Sequence, residues 1–139
     1  MPVAPELHAL YAATDFVVFD TGGEWVIKVG AASPRIDAVL DRFKVTSASV
    51  ISAWNPRSIL LSPDENAARH AQLIAVLKSR SLDYLLGEGR DTTGDWIPEA
   101  ECIVFGTSLD EGLDLARSFD QNAIVFLEHG KAPRLAYID

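Results

Sequence analysis

The sequence has few of the residues that hold small proteins together by covalent or metal crosslinks. Among 139 residues it has one cysteine, Cys102, so no internal disulfide can form. The histidines at positions 8, 70 and 129 are far apart, and none has a His-x3-His or Cys-x2-Cys neighbour, so a structural zinc site has no support. The fold must therefore rest on a hydrophobic core. A chain of this length with 48% hydrophobic residues is typical of one domain spanning residues 1–139.

Basic residues are also scarce. The chain has 12 Lys and Arg against 20 Asp and Glu, a net charge of −8, and its basic residues form no cluster, so no nucleic-acid partner is expected. The apolar runs, such as 123–127, are far shorter than the roughly 20 residues of a membrane helix, so no membrane association is expected. No basic segment followed by an apolar one opens the chain, which favours a cytoplasmic location.

Hydrophobic periodicity and helix-capping signals predict the element order α-ββα-βαββαβ-β. Ser62 and Ser108 each begin a capping-box pattern, with a glutamate three residues later. Helices are predicted near 5–13, 34–43, 63–79 and 109–119, and strands over 15–20, 24–29, 45–53, 82–86, 101–106, 122–127 and 134–138. The polar, glycine-containing segment 87–100 is predicted to be a connection.

This order predicts an α+β fold, a two-layer α/β sandwich with a ferredoxin-like βαββαβ core. An N-terminal helix, β-hairpin and helix and a C-terminal strand would extend that core. Three connections would then meet at one edge of the sheet, and polar and aromatic residues are concentrated in and near them. These residues are the predicted ligand-binding set: Trp54, Asn55, Asn66, Arg69, Trp96, Glu99 and Gln121.

The predicted set has two interpretations. In the first, the tryptophans are the walls of a site and the polar groups orient a ligand. Asn66 and Arg69, near a helix N-terminus, would hold an anion. In the second, Asn55 and Asn66 satisfy loop backbone, Arg69 pairs with Glu65, and the tryptophans cover the core.

The sequence contains no complete cofactor-binding motif, so no cofactor is expected. The segment from Gly89 to Gly94 has the spacing of a phosphate-binding loop, but Asp95 stands where the lysine belongs. A dinucleotide fingerprint starting at Gly87 lacks its third glycine and the following helix. The acidic residues Asp91, Asp95 and Glu99 do not follow calcium-loop spacing, which leaves open only a loose magnesium or calcium site.

Three functions stay open from the residues alone. The first is binding of a small polar or anionic ligand at the predicted edge. The second is a protein-interaction module, in which the acidic surface and an open strand edge meet a protein partner. The third is a hydrolase-like enzyme with Glu99 or Glu88 as general base.

Several short motifs, taken together, resemble a bacterial family catalogued as domain of unknown function 3293. They are Tyr11-x-x-Thr14, Ser52-Ala53-Trp54-Asn55-Pro56, Ser62-x-x-Glu65-Asn66-x-x-Arg69, Asp95-Trp96-x-Pro98-Glu99 and Phe119-x-Gln121-Asn122. The family usually has glycine where Asp120 stands, so the chain departs from it at a left-handed helix cap. The resemblance implies no reaction, cofactor or partner.

Overall fold

The computed structural model describes residues 5–92 and 97–138. The helices in these ranges are α1 (Pro5–Ala12), α2 (Pro34–Arg42), α3 (Pro63–Ser79) and α4 (Leu109–Ser118), with a short 3-10 turn at Pro56–Ser58. The strands are β1 (Thr14–Asp20), β2 (Gly23–Ile27), β3 (Ser47–Ser52), β4 (Tyr84–Asp91), β5 (Glu99–Phe105), β6 (Ala123–Glu128) and β7 (Arg134–Tyr137).

Local signals place the starts of the three longer helices. Ser33 caps α2 through its side chain, and Ser62 and Ser108 form complete capping boxes with Glu65 and Glu111. Each box satisfies two backbone N–H groups that the first turn of a helix leaves without partners. The capping boxes predicted from sequence are therefore confirmed.

The predicted two-layer sandwich with a ferredoxin-like core is wrong. The described strands form one seven-stranded antiparallel sheet, in the order β2-β1-β4-β5-β3-β6-β7. The N-terminal hairpin is part of this sheet, because β1 pairs directly with β4 along Thr14–Val18. Helices also cover both faces of the sheet, which makes three layers rather than two.

Strand β4 is longer than predicted. It continues to Asp91, through residues that were predicted to be a connection. Gly87 pairs with Val18 on one side and with Glu101 on the other. A Cβ at Gly87 would overlap the carbonyl oxygen of Val17 and lie 2.9 Å from Ile103 Cδ1. Glycine therefore marks a close approach of two backbones inside the sheet here, and not a turn.

Two hydrophobic clusters lie on opposite faces of the sheet. On the α2 face, Ile36 and Leu40 pack against strand residues that include Ile103. On the other face, Leu73 of α3 and Leu115 of α4 pack against the alternate strand positions. Residues two apart in a strand share a face, so the alternation in β5 sets which of its side chains reach the candidate site.

None of the helices within residues 5–92 and 97–138 combines the length and the apolar character needed to cross a bilayer.

Candidate functional site

A cleft lies at the end of the sheet where β3 ends and β5 and β6 begin. It consists of two adjoining depressions that share Trp54, Asn55 and Glu99. The α1-side depression has a volume of about 110 Å³, and its lining includes Tyr11, Thr14, Gly89 and Gln121. The α3-side depression has a volume of about 520 Å³, and its lining includes Leu61, Pro63 and Asn66. Sequence reasoning thus identified residues that the fold brings together, although it predicted the wrong sheet.

Asn55 fixes the loop that forms the floor of the cleft. Its backbone is left-handed, with φ 45°, a conformation that asparagine tolerates better than most residues. Its side-chain Oδ1 accepts hydrogen bonds from the backbone N–H of Leu61, at 3.0 Å, and from Asn66 Nδ2, at 2.9 Å. Its Nδ2 donates to Glu99 Oε1 at 2.6 Å. Asn55 therefore joins the loop, α3 and β5 in one network.

Asn66 holds this loop from below. Only 2% of the residue is exposed, and its Oδ1 accepts from the backbone N–H of Asn55 at 2.9 Å. Its Nδ2 donates to Asn55 Oδ1 and to the carbonyl oxygen of Leu61. Both ends of the amide are engaged, so Asn66 satisfies loop backbone, as the second interpretation expected.

Arg69 connects the end of strand β3 to the end of helix α4. Its Nε donates to the carbonyl oxygen of Ala53 at 2.7 Å, just after β3, and its Nη2 donates to the carbonyl oxygen of Phe119, just after α4. Glu65, the partner suggested by sequence, instead caps the backbone of Ser62. The guanidinium of Arg69 is therefore committed to backbone acceptors.

Gln121 and Trp54 meet on the β6 side of the cleft. Gln121 Nε2 donates to the carbonyl oxygens of Trp54, at 3.0 Å, and Phe119, at 3.2 Å. The indole Nε1 of Trp54 is buried and has no hydrogen-bond acceptor in the described part of the chain. Asp120, where the resembling family usually has glycine, adopts the left-handed conformation with φ 57°. The helix cap is thus formed without a glycine.

Glu99 is the carboxyl group that lines both depressions. Within the described ranges it has one hydrogen bond, from Asn55, and no ion pair. Burial raises the pKa of Glu99, and the hydrogen bond from Asn55 opposes that rise. A half-buried carboxyl with a raised pKa can act as a base or hold a cation.

Glu101 lies next to this site, and the sequence analysis missed it. It is 4% exposed, and its Oε1 is buried without a hydrogen-bond partner among the residues that the structure describes. Burial, and then the charges of Glu99 and Glu88, raise its pKa well above the usual range. The alternation of β5 could have identified it. Glu99 and Glu101 lie on the same face of the strand as the core residues Ile103 and Phe105.

Tyr11 of α1 is the second residue that site reasoning missed. It lines the α1-side depression and packs against the hydrophobic cluster on the α2 face. Burial, followed by the charges of Glu99 and Glu101, raises the pKa of its hydroxyl to about 12. Tyr11 is separated from these residues by most of the chain, so no local pattern connects them.

Other candidates from the sequence lie outside the cleft or among residues that the structure does not describe. Trp96 and Asp95 belong to residues 93–96, which the structure does not describe. Glu88 forms an ion pair with Arg90 at 3.4 Å, and strand alternation places it on the face opposite Gly89. No group of three or more His, Cys, Asp or Glu among the described residues is arranged to hold a metal ion.

The site belongs to an α+β protein whose described strands form a seven-stranded antiparallel sheet, with a largely apolar cleft that contains a few polar groups at one end. The chain belongs to the family described as "Protein of unknown function (DUF3293)", whose model matches residues 51–124. The match includes Trp54, Asn55, Asn66, Arg69, Glu99 and Gln121 but not Tyr11. Comparisons with curated proteins and with solved structures find no significant match.

Proposed function

We propose that this protein binds a small polar ligand in the cleft at the end of its sheet. The observation that carries the proposal is the α3-side depression, whose volume of about 520 Å³ lies in the range of small-molecule sites, roughly 300–1,000 Å³. Its walls are largely apolar, with Trp54, Leu60 and Ile97, and the polar groups of Asn55 and Glu99 converge on it. Such a combination provides contact area together with a few orienting hydrogen bonds.

The sequence predicted a small ligand that is polar or anionic. The proposal retains a polar ligand and excludes an anionic one. No Lys, Arg or His is among the described residues that line the two depressions. Arg69, which sequence reasoning assigned to an anion, donates to two backbone carbonyls instead.

A fragment screen followed by protein NMR tests the proposal. We expect neutral and charged polar fragments at millimolar concentration to shift the backbone amide signals of Trp54, Asn55 and Glu99. Leu60→Ala should weaken these fragments several-fold, because Leu60 is a 70% exposed wall residue whose loss leaves the core intact. Leu86→Ala is the matched control, since Leu86 is an exposed leucine outside both linings. The absence of fragment-induced shifts at cleft residues would overturn the proposal.

A protein-interaction role is a second candidate, and one observation favours it. Ile59, Leu60 and Ile97 are exposed apolar side chains at or beside the cleft, at 61%, 70% and 74%. Apolar groups gathered on a surface mark binding sites for proteins as well as for small molecules. Sedimentation of the protein over a concentration series, with and without Leu60→Ala, tests the simplest partner, a second copy. A sedimentation coefficient that does not change with concentration would exclude self-association.

A hydrolase-like function is favoured by Glu99 alone, the one of the two predicted bases that lines the cleft. Its raised pKa is the property that general bases require. If it acts as a base, Glu99→Gln should abolish any ester or amide hydrolysis found in a substrate screen, whereas Glu88→Gln should preserve it. Equal activity in both variants would contradict this role.

A further inference from the structure

Two glutamates share one face of β5 at the cleft, and neither has a cationic partner among the described residues. We propose that the ligand of the cleft carries an ammonium group, held by Glu99 with Glu101 directly behind it. This inference rests on the proposed ligand-binding function and names the chemical class of the ligand.

Both glutamates are paired with glycines of the neighbouring strand. Glu99 is opposite Gly89 in β4, and Glu101 is opposite Gly87. A Cβ at Gly89, which lines the α1-side depression, would lie 3.6 Å from Glu101 Oε2. The carboxyl of Glu101 therefore lies behind the cleft wall, beside Gly89.

The hydrogen bonding of the two carboxyls is incomplete. Glu101 is more than nine-tenths buried, yet within the described ranges its Oε1 has no partner, and the only hydrogen bond of Glu99 there comes from Asn55. Unsatisfied buried polar atoms are rare in native proteins because each costs about 1–3 kcal/mol. Such a pair lacks a hydrogen-bond donor, and a positively charged donor would also offset the carboxylate charge.

The surroundings of the pair select a cation over an anion. The described lining holds no basic side chain. Arg57, the basic residue nearest to Asn55 in sequence, is directed to Asp120 at 3.8 Å. An anion entering here would meet Glu99 with no compensating charge.

An organic ammonium fits better than a metal ion. Metal sites need several ligands converging on one point, and no such group occurs among the described His, Cys, Asp and Glu residues. The aromatic side chains of Trp54 and Tyr11 line the α1-side depression beside Glu99. Aromatic faces attract organic cations and also contact their hydrocarbon parts.

Three probes of the same shape and different charge test the inference: benzylamine, benzyl alcohol and benzoate. Calorimetry and NMR titration of the full chain should give benzylamine at least about tenfold tighter binding than benzyl alcohol, with benzoate weakest. Glu99→Gln should remove the preference for benzylamine over benzyl alcohol. Glu88→Gln is the control, because it removes the same charge from the opposite face of the neighbouring strand.

The outcomes separate this inference from the proposed function. Equal affinities for the three probes, or a benzylamine preference that survives in Glu99→Gln, would overturn the ammonium inference while cleft binding stands. If Glu88→Gln lost the benzylamine preference as fully as Glu99→Gln, the inference would also be overturned, because the preference would then depend only on the net charge of the protein. If Glu99→Gln does not fold, Glu101→Gln replaces it, and an undiminished benzylamine preference there counts against the inference. Absence of cleft shifts with every probe and fragment would overturn both.

Discussion

At the scale of single residues, Glu101 is the group that the fold places under the greatest electrostatic cost. It is buried in a core-facing position of β5, beside a second carboxyl and without an ion-pair partner among the described residues. Burial disfavours the charged form, so protonation relieves the cost. The folded state therefore binds this proton more tightly than the unfolded chain does.

This difference predicts a pH dependence of stability for Glu101→Gln. Because the folded pKa is raised above the usual 4.5, the contribution of Glu101 to stability is fully present below that pH and is lost as pH rises through the folded value. The free energy of unfolding of the unmodified protein should therefore fall relative to that of the variant as pH rises above 4.5. Urea unfolding at several pH values measures it, with Glu24→Gln as an exposed control. Parallel pH profiles for the unmodified protein and Glu101→Gln would contradict the prediction.

Two glycines of β4 give a matched pair of substitutions. Gly87→Ala should destabilise the protein by about 1–3 kcal/mol, because the new methyl group would overlap a β1 carbonyl and Ile103 has little room to move. Gly89→Ala should leave stability unchanged or raise it by up to about 1 kcal/mol, since its Cβ would make only ordinary contacts at 3.5 and 3.6 Å. Denaturant midpoints compare the two. Similar losses for both variants would contradict the close-approach argument.

The roles of individual site residues were only partly predictable from sequence. Residue type and position brought Asn55, Glu99 and Gln121 to the correct region, because polar residues in adjacent connections meet at one sheet end. Whether an amide or guanidinium is free for a ligand depends on which acceptors the fold brings to it. For Arg69 these are the carbonyls of Ala53 and Phe119, and no local pattern specifies such contacts.

At the scale of elements, helix starts were predictable and strand extents were not. A capping box is complete within four residues, so Ser62 with Glu65 identifies the start of α3 without tertiary information. β4 continues through Gly87 and Gly89 because β1 lies against it, and β1 is distant in the chain. The same glycines favour a loop when they are judged from their neighbours alone.

The cap of α3 supports the cleft, since the helix presents Asn66 in its first turns. Ser62→Ala should lower the free energy of unfolding by about 1 kcal/mol, because it removes the acceptor for the Glu65 backbone N–H. Ser79→Ala, at the exposed end of the same helix, should change it little. Chemical denaturation of both variants checks this. A loss as large for Ser79→Ala as for Ser62→Ala would contradict the assignment.

At the scale of the whole molecule, Arg69 connects parts that are distant in sequence. Its guanidinium joins α3 to the backbone after β3 and to the backbone after α4. Arg69→Ala should therefore reduce stability by about 2–3 kcal/mol, because hydrogen bonds from a charged donor to two carbonyls are lost. Arg69→Lys should recover only part of the loss, since an ammonium cannot reproduce the guanidinium fork. Thermal melts measure both, and an unchanged melting temperature for Arg69→Ala would contradict the prediction.

The error in the predicted fold also belongs to this scale. Element types and their order follow from local periodicity, but the number of strands in one sheet depends on which edges pair. The βαββαβ segment was predicted to form a two-layer core with a small sheet, extended by the other elements, whereas β1, β2 and β7 join it in one seven-stranded sheet. Helix α2 then covers the face opposite α3 and α4, because β1 and β2 supply apolar residues such as Val18 and Ile27 there.

The pairing of β1 with β4 sets a practical limit on how the protein can be shortened. The family match begins at residue 51, inside β3, so a clone trimmed to that boundary would lose most of the strand that lies between β5 and β6. It would lose Tyr11 and Thr14 from the cleft wall and leave β4 as an uncovered sheet edge, a template for aggregation. Transplanting the cleft to another scaffold would therefore require the hairpin 14–27 to travel with it.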